Sequence, residues 1–581
     1  MLAKKLLPVI LIIQNLTLFA QGGWKFDTNP LNGTTSYTTI YSYIGCSFVE
    51  LNGDKFVDLL LSPNTVFLNN GDGTFTQTKL LPYIVLNSTS GNSCADLDND
   101  GDNDIIVSGV PSKVFFNNGL SIFSDSTSKI PNFGLYGSWG TAIGNFNNDR
   151  ELDFFFAHGN GYLQPAQSKP CKFYKQTKNI FNPLSLLLAP VTDSLNTYTD
   201  PYWSDYDLDG DMDLFVATGP VMGIPDYDFC YKNLKIETGL DSLIPMTTEL
   251  FATQKQDGQC YNFIDYDNDG DMDLCLTNYF SAATRMYKNT GGIYTSINTP
   301  FTVATTNIAN CWGDYDNDGD LDVIITNDNQ VSKYYRNNSG LNFTYLPGGF
   351  TTPTAVNGIT NADYDNDGDL DLFTNGIGNN GNTISVGLYK NDTVAGNRNS
   401  INIKLKGTTS NASAIGATVR LKAIINNVPV WQLREVNAQN TFQGQNDLRV
   451  HFGLKYATTV DSLIVKWPSG LVENYVNFDV NSFYEITEGI GAVNTTVKQN
   501  DILRNDISVF PNPTSDIIRI HFSYSNSNLN YQLINIQGKE LFEGKLNNNN
   551  SEIHMQALES GIYFLKIYEG DKFSTRKVIK N

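Results

Sequence analysis

The run Asp265-Tyr-Asp267-Asn-Asp269-Gly270-Asp271-Met-Asp273 leads straight into the apolar stretch Leu274-Cys-Leu276. Four further stretches repeat its spacing in full, from Asp96 to Asp104, Asp205 to Asp213, Asp314 to Asp322 and Asp363 to Asp371. Two weaker copies, Glu50-Leu-Asn52-Gly-Asp54-Lys-Phe-Val-Asp58 and Asn145-Phe-Asn147-Asn-Asp149-Arg-Glu151-Leu-Asp153, keep the spacing and lose part of the chemistry. The runs begin at 50, 96, 145, 205, 265, 314 and 363, at intervals of 46, 49, 60, 60, 49 and 49 residues. A period of this size, met seven times, marks a structural unit that buries its apolar face against its neighbours.

The strand after each run, such as Leu214-Phe-Val216 or Val323-Ile-Ile325, shows almost no polar alternation, as expected of a strand buried on both faces. A second signature follows it, an aromatic residue close before Asn, as in Phe115-Phe-Asn117, Tyr287-Lys-Asn289, Tyr334-Tyr-Arg336-Asn337 and Leu388-Tyr-Lys390-Asn391. A Gly then precedes an aromatic, as in Gly71-Asp-Gly73-Thr-Phe75 and Gly340-Leu-Asn-Phe343. Four short strands per unit predict an all-β chain whose first domain, residues 21–398, is a seven-bladed β-propeller. The last unit lacks its Gly-x-x-aromatic strand, and Gly22-Gly23-Trp24-Lys25-Phe26 is expected to supply it, closing the ring and removing its free sheet edges.

An Asp-x-Asp-x-Asp-Gly-x-x-Asp loop turns side-chain oxygens at positions 1, 3, 5 and 9 and the carbonyl of position 7 around one point, with Gly at 6 for the sharp turn. Hard oxygen donors in a flexible loop suit Ca²⁺. Asx turns without metal are the alternative. Against it, carboxylates about 4 Å apart repel by roughly 4 kcal/mol per pair at an effective dielectric near 20. The expected calcium sites, structural in role, are therefore Asp96, Asp98, Asp100, Asp102 and Asp104; Asp205, Asp207, Asp209, Asp211 and Asp213; Asp265, Asp267, Asp269, Asp271 and Asp273; Asp314, Asp316, Asp318, Asp320 and Asp322; and Asp363, Asp365, Asp367, Asp369 and Asp371. Weak or empty sites are expected at Glu50, Asn52, Asp54 and Asp58, and at Asn145, Asn147, Asp149 and Asp153, where Lys55 and Arg150 replace the turn glycine.

The formal charge of −21 arises from 60 acidic and 39 basic side chains, with the surplus in these short clusters. No basic patch of the kind a nucleic acid needs is present before residue 572. Lys4 and Lys5, the apolar run Leu6 to Ile13 and Leu18-Phe19-Ala20 read as a secretory signal peptide over residues 1–20. Gln14, Asn15 and Thr17 interrupt that run well short of the roughly 20 apolar residues of a membrane span, and no later segment is long enough. The seven cysteines form no Cys-x-x-Cys pair, which disfavours zinc. They read as small core residues, with a Cys171–Cys230 disulfide as the alternative for that pair.

On these residues the first domain resembles the FG-GAP/VCBS repeats of integrin-α-like propellers. The resemblance implies Ca²⁺ in the intact loops and a role in recognition. The following stretch, Asn411-Ala-Ser-Ala-Ile415-Gly416-Ala417, His451-Phe-Gly453-Leu454 and Val465-Lys-Trp467-Pro468-Ser469-Gly470, resembles the ASPIC/UnbV domain and is expected to form a β-sandwich over 399–489, with His451 and Trp467 as packing residues. A polar linker covers 490–505. Val509-Phe510-Pro511-Asn512-Pro513, Leu533-Ile-Asn-Ile536-Gln-Gly538, Leu558-Glu-Ser560-Gly561-Ile562-Tyr563 and Lys577-Val578-Ile579-Lys580 resemble a type IX secretion C-terminal sorting domain over 506–581, expected to be a small β-sandwich. The resemblance implies recognition by that secretion machinery and a place outside the cell or on its outer surface.

The two 60-residue intervals carry extra loops, His158 to Pro170 and Gly219 to Asp228, expected on the face opposite the acidic loops. Extended loops on a rigid scaffold are where recognition resides. His158, Tyr162 and Tyr227 are the candidate contacts for an extracellular glycan or protein ligand, which makes an adhesion module the leading expectation. The alternatives are an inert surface scaffold and a polysaccharide lyase. For a lyase, His158 beside Tyr162 is the single pair worth testing, because no nucleophile elbow, His-Glu-x-x-His or phosphate loop is present.

Overall fold

The computed structural model describes residues 24–27, 31, 36–38, 44–62, 65–79, 88–119, 121–131, 138–158, 170–184, 197–219, 225–280, 282–340, 342–350, 355–377, 383–391, 398–496, 508–521, 529–535, 539–546, 550–569 and 572–581. The expected signal peptide, Tyr162 and most of the 490–505 linker lie outside them.

The described residues of 24–391 form seven antiparallel sheets of four or five strands, here numbered one to seven along the chain, and one two-stranded sheet. Their first strands are Cys46–Val49, Ser88–Ala95, Gly140–Gly144, Tyr198–Ser204, Gly258–Ile264, Asn307–Gly313 and Val356–Ala362. Their second strands are Asp58–Leu61, Asp104–Val110, Asp153–Ala157, Asp213–Thr218, Asp273–Asn278, Asp322–Asn327 and Asp371–Ile377. Every acidic run is thus the connection between a first and a second strand. The first strands neighbour one another in this order, and Val356–Ala362 returns to Cys46–Val49, so the sheets radiate from a common bore as in a β-propeller. In sheet seven the outer strand is Trp24–Asp27, antiparallel to Thr383–Asn391 with Trp24 opposite Asn391. The second strands Asp153–Ala157, Asp213–Thr218, Asp273–Asn278 and Asp322–Asn327 are buried at every residue, because neighbouring sheets cover both faces.

The aromatic-x-Asn signature proves to be the joint between sheets. Asn69, Asn233, Asn337 and Asn391 end the third strands and Asn117 directly follows one, and each donates its side-chain amide to two backbone carbonyls. One carbonyl belongs to the residue before its own sheet's last loop aspartate, the other to position 2 of the preceding sheet's loop. Asn69 reaches Tyr364 in this way and ties sheet one to sheet seven at 2.8 Å. Gln176 takes the same role in sheet three, reaching the Leu97 carbonyl at 2.8 Å.

A second row of joints uses position 4 of the loops. Asn99, Asn148, Asn268 and Asn317 all adopt left-handed φ, between 53 and 59°. Their amides donate to the position-6 carbonyl of the next loop, at Arg150, Gly210, Gly319 and Gly368. Leu208 breaks the row: it holds φ +60°, cannot make the bond, and packs its half-buried side chain against the aromatic cluster of sheets four and five. Leu208→Asn should relieve the backbone and lose that packing, so the urea midpoint should move by the equivalent of no more than about 1 kcal/mol with an unchanged slope.

Residues 399–494 form a sandwich of two four-stranded sheets. One contains the parallel pair Asn399–Lys406 and Ser482–Thr487. The other is antiparallel, in the order Val428–Glu435, Thr418–Ile425, Ser462–Lys466, Val472–Tyr475. Trp467 and His451 are buried: the Trp467 indole N–H donates to Glu473 at 2.7 Å, and His451 pairs its Nε2 with the Gly368 carbonyl at 3.2 Å.

The same domain enters the bore of the propeller. Residues 436–446, between the strands ending at Glu435 and beginning at Val450, are buried except for half-buried Asn440. Their polar groups satisfy the inner strands, as buried polar groups must. Gln445 exchanges two hydrogen bonds with the backbone of Cys94, donates its own N–H to Ser47 Oγ at 3.0 Å, and accepts at its carbonyl from Thr360 at 2.6 Å. Asp200 accepts the N–H of Gln443 at 2.8 Å, and the Asn446 side chain accepts the N–H of Asn361 at 2.9 Å. A Cβ on Gly444 would stand 2.1 Å from the Cys46 carbonyl oxygen, so only glycine lets the segment pass. Gln445→Ala strands both backbone groups of Cys94 in the bore and should cost about 2–4 kcal/mol, measurable as a lowered unfolding midpoint.

All seven cysteines are buried and free. Cys171 and Cys230 do not pair, because each lies in the third-strand region of a different sheet and packs into a different apolar cluster. The second compact unit, residues 497–581, holds a three-stranded sheet (Ser508–Phe510, Ile517–His521, Asn550–His554) and a four-stranded one (Glu540–Lys545, Asn530–Asn535, Gly561–Glu569, Lys572–Lys580). Its core includes Ile518, Leu533, Ile553, Leu565 and Val578.

Candidate metal centres

The glycine at position 6 is left-handed in all five intact loops, with φ of 106, 117, 93, 97 and 98° at Gly101, Gly210, Gly270, Gly319 and Gly368. In loop one Lys55 is forced to φ +73°. The turn brings backbone N–H groups onto the position-1 carboxylate. Asp100 and Gly101 donate to Asp96 at 3.0 and 2.8 Å, and Asp318 and Gly319 donate to Asp314 at 2.9 and 2.7 Å. Carboxylate oxygens then converge within 4.8 Å in the sets Asp96/Asp98/Asp104, Asp205/Asp207/Asp209, Asp265/Asp267/Asp269 and Asp314/Asp316/Asp322.

Burial is the main perturbation of these acids, and their mutual repulsion adds to it. It pushes Asp104 up to about 8, Asp265 to about 7 and Asp273 to about 9, and raises Asp213, Asp314 and Asp322 well above the usual carboxylate range. Backbone donors oppose the rise, at Asp273 through the N–H of Asn289. The second oxygens of Asp213 and Asp273 are buried without a hydrogen-bond partner. A buried all-oxygen donor set with orphaned carboxylate oxygens fits a hard cation.

Position 7 uses its side chain elsewhere. Asp211 accepts from the N–H of Ile236, Asp271 from that of Gly291, and Asp320 from the amide of Asn268, at 2.7, 2.7 and 3.0 Å. Position 9 carries a structural load in every loop, since its Oδ1 accepts the N–H of the strand-ending Asn or Gln. In the weak loops neutral amides stand where a cation would. Asn52 donates to Asp54 at 2.9 Å, Asn145 to the Asp149 carbonyl at 3.0 Å, and Asn147 to the Asp149 carboxylate.

Cations distant in sequence approach the intact loops. Lys232 bridges Asp207, Asp209 and Glu237, and Lys288 bridges Asp267 and Asp269. From the second domain and its approach, Lys466 lies 3.7 Å from Asp205 and Arg398 lies 3.0 Å from Asp316. Glu435 accepts from Ser204 Oγ and the Asp205 N–H at 2.7 and 2.8 Å. Burial pushes the Arg434 guanidinium down to about 10, while Asp314, Asp265 and Asp320 favour its charge. The second domain therefore packs on the intact acidic loops, while Asp54, Asp100 and Asp269 stay exposed. Nothing local in the sequence points to these partners except the Lys or Arg that precedes the strand-ending Asn.

On the opposite face the Gly219 to Asp228 loop ends in the short strand Asp226–Tyr227, which pairs with Lys255–Gln256 and links sheets four and five. Tyr227 is 47% exposed with the Lys255 ammonium 5.0 Å from its ring centroid, whereas His158 is only 3% exposed.

The sequence matches the family description "FG-GAP-like repeat" over residues 50–107, 265–325 and 314–374, "ASPIC and UnbV" over 407–493, and "Secretion system C-terminal sorting domain" over 508–581. The last places the protein on a route to the cell surface or beyond. Among the described residues no helix is long and apolar enough to cross a membrane. No curated protein matches the chain. Similar solved structures include the WD40 beta propeller domain of Doa1 (12% identity, TM-score 0.36, covering 61% of this chain and 96% of that one). BBS1N in complex with ARL6DN follows at 10% identity and TM-score 0.37, covering 64% and 98%. The V. cholerae biofilm matrix protein Bap1 has 12% identity and TM-score 0.27, covering 77% and 73%.

Proposed function

We infer, from a chain that carries FG-GAP-like repeats, an ASPIC and UnbV domain and a secretion-system sorting domain, that this is a calcium-stabilised recognition protein of the cell exterior. Calcium in the five intact loops would hold each first strand to its second and neutralise the acids that burial disfavours. The observation that carries the recognition reading is that the second domain packs on the intact acidic loops and fills the bore. A partner is left the opposite face, where the described end of the Gly219 to Asp228 loop, Asp226–Tyr227, pairs with Lys255–Gln256. Tyr227, with Asp226 and Lys255 beside it, offers an aromatic surface flanked by hydrogen-bonding charges, the combination that suits a glycan. Of the other expected contacts, His158 is buried and Tyr162 lies outside the described residues, which leaves Tyr227 as the contact to test. On a glycan array probed in calcium, Tyr227→Ala should weaken binding at least tenfold with an unchanged melting temperature. Undiminished binding would remove the patch.

A further inference from the structure

The seven sheets allow a comparison within one molecule. The third-strand residue immediately before the strand-ending Asn is Lys232 in sheet four, Lys288 in sheet five and Arg336 in sheet six. Lys232 and Lys288 place their ammonium groups between positions 3 and 5 of their own loops, 3.2 Å from Asp209 and 3.1 Å from Asp269, with closer contacts to Asp207 and Asp267. Arg336 lies 3.8 Å from Asp316, which Arg398 approaches from the other side at 3.0 Å. In sheet four Lys466 of the second domain adds a second cation, donating to the Leu208 carbonyl at 2.8 Å. Sheet two breaks the rule. The same register holds Phe116, and the nearby Lys129 lies 4.5 Å above that ring. Among the described residues no Lys or Arg nitrogen comes within 4.0 Å of a carboxylate in the loop 96–104.

Positions 3 and 5 are the ligands that a loop ion would share, so a resident ammonium and a divalent cation compete for the same oxygens. Resting on the calcium reading above, we propose that calcium enters this propeller in two classes: directly in the loop 96–104, and by exchange with a resident side-chain cation in the loops 205–213, 265–273 and 314–322. One of the displaced cations, Arg398 on Asp316, comes from the approach to the covering domain, so loading the loop 314–322 also releases a contact that holds that domain.

The test uses the full chain without its signal segment, titrated with calcium by calorimetry and melted in calcium and in chelator. The wild type should resolve the loop 96–104 as a tight site from a weaker group that includes the loops 205–213, 265–273 and 314–322. Lys232→Met and Lys288→Met, which keep most of the aliphatic stem, should each tighten one weak site at least tenfold and lower the melting temperature in chelator alone. Phe116→Lys should weaken the tight site at least tenfold. Calcium binding by the wild type with constants that stay within twofold in all three variants overturns the exchange and leaves the calcium reading intact. Absence of calcium binding by the wild type overturns both.

Discussion

Removing calcium should lower the melting temperature by about 10 °C or more. Each ion bound only by the folded state stabilises it by RT ln(1 + [Ca²⁺]/Kd), about 2.7 kcal/mol at a hundredfold excess over Kd. Five loops together then supply on the order of 10 kcal/mol, which a chain of this size converts to a shift of that order. The metal-free protein should also have a distinctive pH dependence. Asp104, Asp265 and Asp273 are raised by burial to about 8, 7 and 9, so the folded state binds more protons than the unfolded one between pH 4 and those values. The stability they contribute is fully present below their unfolded pKa and is lost as pH rises through about 7 to 9. In chelator, therefore, the protein should melt at lower temperature at pH 8.5 than at pH 6. In saturating calcium the order should reverse, because protons and calcium compete for the same oxygens. A melting temperature indifferent to calcium at both pH values would rule out a structural ion.

What could be read from the sequence was periodic and local. The nine-residue runs fixed the connection between first and second strands, and the turn glycines were expected for the φ values they adopt. The aromatic-x-Asn signature was visible, but its meaning was not. An asparagine that closes one strand while reaching the preceding sheet needs the ring to exist before its partners come within range. The segment Val436-Asn-Ala-Gln-Asn-Thr-Phe-Gln-Gly-Gln445 carries no repeat or motif that would place it in the bore. Its amides are paired by inner-strand peptide groups that stand idle only in a closed propeller. Arg434, Glu435 and Lys466 are more than 100 residues from the loops they face, and no spacing rule connects them. Position 9 reads as a ligand, and in the folded chain it also carries the third strand. Its aspartate keeps that strand-joining role in the weak loops as in the strong ones, while Asp104 and Asp322 also stand in the converging acidic sets.

That distinction yields the second large effect. Asp153 belongs to a loop whose acids are already served by Asn145 and Asn147, so metal is not what keeps it there. It is fully buried, and its two oxygens accept the N–H of Gln176 at 2.8 Å and of Phe146 at 3.1 Å, fastening the third strand and the loop start to the second strand. Burial raises its pKa well above the usual range, while those two donors pull it down. Asp153→Ala leaves both N–H groups buried and unpaired beside a small cavity and should cost about 3–5 kcal/mol. Asp153→Asn restores one acceptor but turns an NH₂ toward the other donor, so about half that loss should remain. The calcium stoichiometry should be the same in both variants as in the wild type, because the five intact loops are untouched. The paired measurement is calorimetric titration at saturation and unfolding followed in calcium. A variant that unfolds more easily yet binds every ion assigns Asp153 to the architecture. A variant of unchanged stability that loses one ion would return it to the metal, and would make the weak loop a sixth site.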